Sequence, residues 1–447
     1  MSAALATGPT VLAHGVAGRQ DLPIPFGYAV TGAAVAVVAS FLALALLWRE
    51  PRLDGARAGV ALPRGLQRVL DAPALRLALR LLGLLVLAYV LLGAVFGKDD
   101  ELNPTAGVVY VLFWVGLVVL GLVAGPAGWR MLNPIRTLHL ALSKAAGTPP
   151  ERGLRPLPPW LGWWPGALSL LAFVWLELAA PHRDELPVLR TWFAVYIAVQ
   201  LLCVTVFGSR WLDRGDGFEA YVAMFGHLSP VGRRPADGRL VLRNPLQGLD
   251  TIRPEPGLAA LVCVMLGSTA FDGLSRTTHW LTFTAEAPVG LVVTGTLGLL
   301  VVIVVVFCAY LLATRLAGRL GGTSRELPRL FAHSIVPIAL GYVVAHYWTF
   351  LIINGQLTLI QLSDPLGRGD DWLGTAGRGV GMTLVQVRFV AVLQVVAVVT
   401  GHVVGVFAAH DRAVRLFPRR SATAGQLPLL ALMVGYTIFG LFVLFST

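Results

Sequence analysis

Ten stretches of roughly 20 or more mostly apolar residues run through this chain, at about 26–48, 75–97, 107–129, 160–180, 188–208, 257–277, 288–313, 330–353, 381–408 and 427–446. A helix of that length covers the ~30 Å hydrocarbon layer of a bilayer. Inside lipid every backbone N–H and C=O must be bonded within the segment, so such runs fold as helices. A barrel would need short alternating strands, and Leu299–Cys308 does not alternate. The 13% charged residues, against about 25% in a soluble domain, and the 56% hydrophobic residues fit the same solvent. The expected fold is therefore all-α: a polytopic membrane helix bundle of about ten transmembrane helices, in contact with the lipid bilayer.

The charges orient it. Counted with the adjoining helix ends, the first, third, fifth, seventh and ninth connections hold 27 of the 35 Lys/Arg residues. By the positive-inside rule those connections are cytoplasmic, and both termini lie outside. The net charge of +11 is thus a matter of membrane orientation and gives no reason to invoke nucleic acid. Only Lys98 and Lys144 are lysines, and the arginine and alanine richness points to a bacterial plasma membrane. Trp129, Trp160, Trp163 and Trp164 fit an interfacial belt. The organisation read from the sequence is an external N-terminal segment (1–25), helices one to five (26–208), a cytoplasmic loop (209–256), and helices six to ten (257–447) carrying the candidate polar site. Pro134–Ala146 has the helical spacing of a surface-lying amphipathic segment. Arg239–Arg243 and Gly248–Arg253 suggest a small hairpin. Five helices on either side of the central loop would permit inverted halves, although the halves share no sequence similarity. No glycine-rich phosphate loop is present, which argues against an ATP-driven machine. Cys203, Cys263 and Cys308 have no CxxC spacing and read as small core residues.

Ionisable groups are costly inside a bilayer, so they mark candidate sites. Helix eight carries His333, Tyr342, His346 and Tyr347; helix nine carries Gln386, Arg388, Gln394, His402 and His410. At about 1.5 Å per residue, His346 and Arg388 fall at a similar outer depth. Asp272 and Glu177 share that level, and His279 lies in a loop on the same side. A functional pocket is expected there, with His346, Arg388 and Asp272 as catalytic candidates. Tyr342, Gln386, Glu177 and His279 are the expected ligand-binding residues. Arg388 needs a buried anionic partner, and Asp272 is the candidate. Tyr342 and His346, at i, i+4, would face one space. His346 and Asp272 are also candidate ligands for a divalent metal, zinc or copper. His14 is another: Val11-Leu12-Ala13 is a pattern a signal peptidase accepts, and cleavage would leave His14 with a chelating amine and imidazole. Haem fits less well. His333 and His346 are 13 residues apart and some 140° apart around the axis, and His402 and His410 are only eight apart. The six scattered methionines form no soft Cu(I) cluster.

Four stretches together resemble a known family. They are His14-Gly-Val-Ala-Gly-Arg19-Gln-Asp21-Leu-Pro-Ile-Pro25; Phe271-Asp272-Gly273-Leu-Ser275; His333-Ser-Ile-Val-Pro337 through Gly341-Tyr342 to Ala345-His346-Tyr347; and Gly401-His402 through Ala409-His410-Asp411-Arg412. The chain is similar to largely actinobacterial multi-pass membrane proteins labelled fenitrothion hydrolase. That label implies hydrolysis of an organophosphate triester, which a metal held by His and carboxylate ligands would assist. No HExxH or GxSxG pattern accompanies it. The function expected from the residues is an outward-facing pocket that binds a metal ion or small ligand, as in a transporter. The alternatives are a metal-assisted phosphotriester hydrolase and a haem-binding redox subunit.

Overall fold

The computed structural model of the chain describes residues 18–323 and 326–446; His14 lies outside the described residues. Among these, nine helices are long and apolar enough to cross a membrane. We label the long helices α1 (Phe26–Leu47), α2 (Pro73–Phe96), α3 (Thr105–Ala124), α4 (Trp164–Leu178), α5 (Leu186–Phe207), α6 (Leu258–Ser275), α7 (Leu291–Gly321), α8 (Val336–Gln361), α9 (Val387–Leu416) and α10 (Ala422–Leu444). The exception is α4. Its 15 residues rise only about 22 Å, short of the hydrocarbon thickness. The all-α polytopic bundle is the observed architecture.

The chain divides into two compact units. One takes the chain up to Arg52, Val262–Ile360 and the residues from Gly377 on; the other takes Leu53–Leu261 and Gln361–Ala376. We call them the terminal unit and the central unit. The division is not five helices against five, because α1 packs on α9 and α10 in the terminal unit.

Within the terminal unit, α8 and α9 cross closely because small residues meet. A Cβ on Gly341 would lie 2.5 Å from the Ala397 carbonyl oxygen. One on Gly401 would lie 2.7 Å from that of Pro337, and one on Gly405 2.8 Å from that of Ser334. Small residues at such crossings let backbones approach and gain dispersion contact where lipid supplies no hydrophobic drive.

The central unit has a small antiparallel sheet at one end: Val231–Arg233 and Val60–Ala61 flank Leu240–Leu242, with Val60 opposite Leu242. The hairpin thus pairs 231–233 with 240–242. Gly248–Arg253 is no strand, because Asn244 caps a short helix, Pro245–Asp250, with Pro245 at its first position. Pro134–Ala145 is a helix, as its spacing predicts. The helix Gly217–Gly226 is buried along almost its whole length, between α3 and α4. A Cβ on Gly121 of α3 would lie 2.9 Å from the Val222 carbonyl oxygen, and one on Gly166 of α4 3.3 Å from the Ala220 side chain.

Candidate functional site

In the terminal unit, α6 ends three residues beyond Asp272, which is 1% exposed. Its Oδ2 lies 2.7 Å from Nε2 of His346 on α8, itself 5% exposed. Its Oδ1 lies 3.0 Å from the Arg276 guanidinium, one turn further along. The carboxylate is therefore shared between a permanent cation and a titratable ring. Gln394 of α9 belongs to the same layer. The α8–α9 crossing sets Gly341 against Ala397 and Gly401 against Pro337. Extending that register puts Gln394 within about one helical turn of the level of His346. Gln394 is 1% exposed and its Oε1 has no hydrogen-bond partner.

Other expected members stand elsewhere. Arg388 is the second residue of α9 and is exposed. Among the described residues it forms no ion pair, so the expected Arg388–Asp272 pair is replaced by Arg276–Asp272. A guanidinium four residues further on, just past the end of α6, reaches the carboxylate without any crossing. Gln386 and His279 are likewise exposed. Tyr342 does not face the His346 space: its hydroxyl donates to the Tyr436 carbonyl (2.9 Å), and its ring meets His402 edge-on at 5.9 Å. Glu177 is buried in the central unit, not in the terminal unit with His346.

The remaining histidines bear on the haem expectation. His410 is occupied at both nitrogens, Nδ1 by Gln426 (2.8 Å) and Nε2 by the Trp48 carbonyl (2.9 Å). His402 is fully buried, with Nδ1 on the Val398 carbonyl at 2.9 Å. The two do not form a matching axial pair. Among the described residues, no three His, Cys, Asp or Glu side chains come together as a metal set; His346 and Asp272 supply two donors.

A second polar cluster, in the central unit, went unread in the sequence. Asp216 caps the helix Gly217–Gly226, accepting from the backbone N–H groups of Phe218 (2.9 Å) and Glu219 (3.2 Å). It also accepts from Tyr196 (2.7 Å) and Asn133 (2.7 Å). Glu219 meets Arg136 at 2.7 Å and Arg130 at 3.2 Å, and Asp213 pairs with the same two arginines. Burial pushes the Glu219 carboxyl up to about 7 against the pull of Arg136 and Arg130. The signal in the sequence was the spacing Asp213, Asp216, Glu219, one helical turn apart, opposite Arg130 and Arg136. Every group there finds its partner within the fold, so the cluster reads as a structural tie between two connections.

No family model matches the chain, and no curated protein or solved structure matches it either.

Proposed function

We propose that this integral membrane protein is a transporter that exchanges protons for a small cationic or hydrogen-bond-donating solute at Asp272. The observation that carries the reading is the 2.7 Å contact between Asp272 and His346, both buried on apolar spanning helices. Intramembrane carboxylate–histidine pairs are expensive and serve as proton relays or ligand sites. With His346 protonated, Asp272 is neutralised by the imidazolium. When His346 gives up its proton, Oδ2 of Asp272 becomes available to a solute, and the Gln394 carbonyl, at a similar depth, can take a second hydrogen bond. Proton and solute thus compete for one carboxylate. Arg276 occupies Oδ1, which leaves Oδ2 as the oxygen that the imidazolium and the solute share.

The test is dissipation of an imposed pH gradient in proteoliposomes, read by an entrapped pH dye. The probes are Na⁺, K⁺, Mn²⁺, Zn²⁺, choline and spermidine. At least one should collapse the gradient with the parent protein, and Asp272→Asn and His346→Ala should each lower that rate at least tenfold. Unchanged rates in both variants would end the reading.

The same His–carboxylate dyad gives the hydrolase reading its one structural support, since such a pair can act as a general base on water. Turnover of a chromogenic phosphotriester that disappears in His346→Ala, with no gradient collapse, would favour it.

A further inference from the structure

Arg243 directly follows the strand Leu240–Leu242 in the central unit, and is only 6% exposed. Its guanidinium is wedged between two glycines. A Cβ on Gly232 would lie 2.5 Å from Nη2, and one on Gly248 3.1 Å from the same nitrogen. The backbone N–H of Arg243 donates to the Pro230 carbonyl at 2.8 Å, but among the described residues its side chain meets no carboxylate, and the buried Nε has no hydrogen-bond partner.

Its neighbours differ. Arg214 grips Glu255 with two bonds, 2.6 and 2.8 Å, and stacks over Trp163 at 4.1 Å. Arg233 pairs with Asp71, and Arg234 with Asp237 at 2.6 Å. The fold supplies acids to these exposed or half-exposed arginines and none to the buried one. His227 adds no negative charge: burial, with Arg243 and Arg214 nearby, holds its pKa down to about 4, so the ring is neutral. A guanidinium is always charged, and leaving one this buried without an ionic partner is unfavourable. An anion would answer that charge.

We propose that Arg243 is the anchor of an oxyanion site of the phosphate class, filled by free phosphate or by the phosphodiester of an anionic lipid headgroup, which, unlike that of phosphatidylcholine, has no choline cation to compensate it. The guanidinium fork matches two phosphate oxygens at once. The same unit presents the short helix Arg64–Leu70, with Leu66, Val69 and Leu70 exposed beside Arg64 and Arg68. That mixture suits a headgroup layer, where phosphate is the prevailing anion. The site lies in the central unit and stands independently of the transport reading.

The test uses the purified full-length protein and its thermal unfolding midpoint. In one arm, inorganic phosphate replaces chloride at constant ionic strength in phosphatidylcholine nanodiscs. In the other, phosphatidylglycerol replaces part of the phosphatidylcholine with no phosphate added. A midpoint rise of roughly 2 °C or more at tenfold excess over Kd is expected in at least one arm. A rise with phosphate alone identifies a soluble ligand, and one with phosphatidylglycerol alone a lipid. Arg243→Lys, which keeps the charge and loses the fork, should weaken the apparent affinity at least tenfold, and the exposed Arg239→Gln should not. In chloride and phosphatidylcholine, Arg243→Met should unfold no earlier than the parent, because it removes an unanswered charge. A parent midpoint unmoved in both arms, or a shift retained in Arg243→Lys and Arg243→Met, overturns the proposal.

Discussion

Desolvating a carboxylate and an imidazole costs more than a surface pair returns, and the cost becomes visible when one partner is removed. Asp272→Leu leaves Arg276 and His346 facing an apolar side chain, and should destabilise the protein by about 3–5 kcal/mol. Arg388→Gln removes an exposed, unpaired charge and should stay within about 0.5 kcal/mol. Chemical unfolding in mixed micelles compares the two, and equal losses would contradict the geometry. Glu219 makes a prediction in pH. Its folded pKa of about 7 lies above the 4.5 of an ordinary glutamate, so between those values the folded state holds the extra proton. Its contribution to stability is full below about 4.5 and declines as pH rises to about 7. Glu219→Gln should flatten the fall in unfolding midpoint across that window, and an unaltered slope would show that burial does not govern this carboxyl. Asp272 and His346 were legible from the sequence because helical rise fixes depth. Arg388 misled for a related reason: rise gives depth but not which face of the helix a side chain takes, and at the second position of α9 Arg388 takes the exposed one. Arg276, four residues from Asp272, was the nearer partner.

The α8–α9 pair depends on atoms that are not there. Gly341→Val places a branched side chain against the Ala397 carbonyl oxygen, where even a Cβ would sit at 2.5 Å. Overpacking of that kind costs about 1–3 kcal/mol or more, and it would also shift the register that brings Gln394 to the level of His346. Gly435 of α10 has nothing within 4 Å of an added Cβ, so Gly435→Ala should be neutral or slightly stabilising. Thermal unfolding followed by size-exclusion chromatography separates the two, and a neutral Gly341→Val would mean the crossing is looser than described. Nine of the ten apolar runs were readable as long helices because length and hydropathy suffice for that. The helix Gly217–Gly226 was not: ten mostly apolar residues, Glu219 among them, within an arginine-rich connection satisfy no length criterion, and only its packing between α3 and α4 reveals it. Its presence bears on α4. The first turns of α4 lie against that helix, with Ser169 accepting from the Gly217 N–H at 2.9 Å.

Sidedness can be followed within each unit through contacts between connections. In the central unit the first and fifth connections share the sheet, and the third and fifth share the pairs of Arg136 and Asn133 with Glu219 and Asp216. At the opposite helix ends, the Leu186 N–H donates to Asp99 (3.0 Å), Tyr110 to the Arg183 carbonyl (2.9 Å), and the Lys98 N–H to the Leu366 carbonyl (3.0 Å). In this unit the second, fourth and eighth connections therefore meet at one end, and the first, third and fifth at the other. The helix α4 joins the third connection to the fourth and must pass between those ends despite its length. In the terminal unit Ser421 donates to the Gly321 carbonyl (2.9 Å), joining the seventh and ninth connections, while Arg19 donates to the Phe445 carbonyl (2.9 Å), joining the two chain ends. The same odd–even partition is written in the arginines, which the geometry of hydrogen bonds knows nothing about. If α4 failed to cross, the connection carrying Arg130, Arg136, Lys144, Arg152 and Arg155 would share a side with the acidic turn Asp184–Glu185, and the charge alternation would collapse. Single cysteines in a Cys203→Ala, Cys263→Ala, Cys308→Ala background, probed with a membrane-impermeant maleimide on intact cells, decide the matter. Positions Asp100, Asp184, Glu286 and Gly369 should label from outside. Gly55, Lys144, Asp237, Gly322 and Thr423 should label only after permeabilisation. Labelling of Asp184 and Lys144 from the same side would show that α4 does not cross, and the ten-helix topology would fall with it.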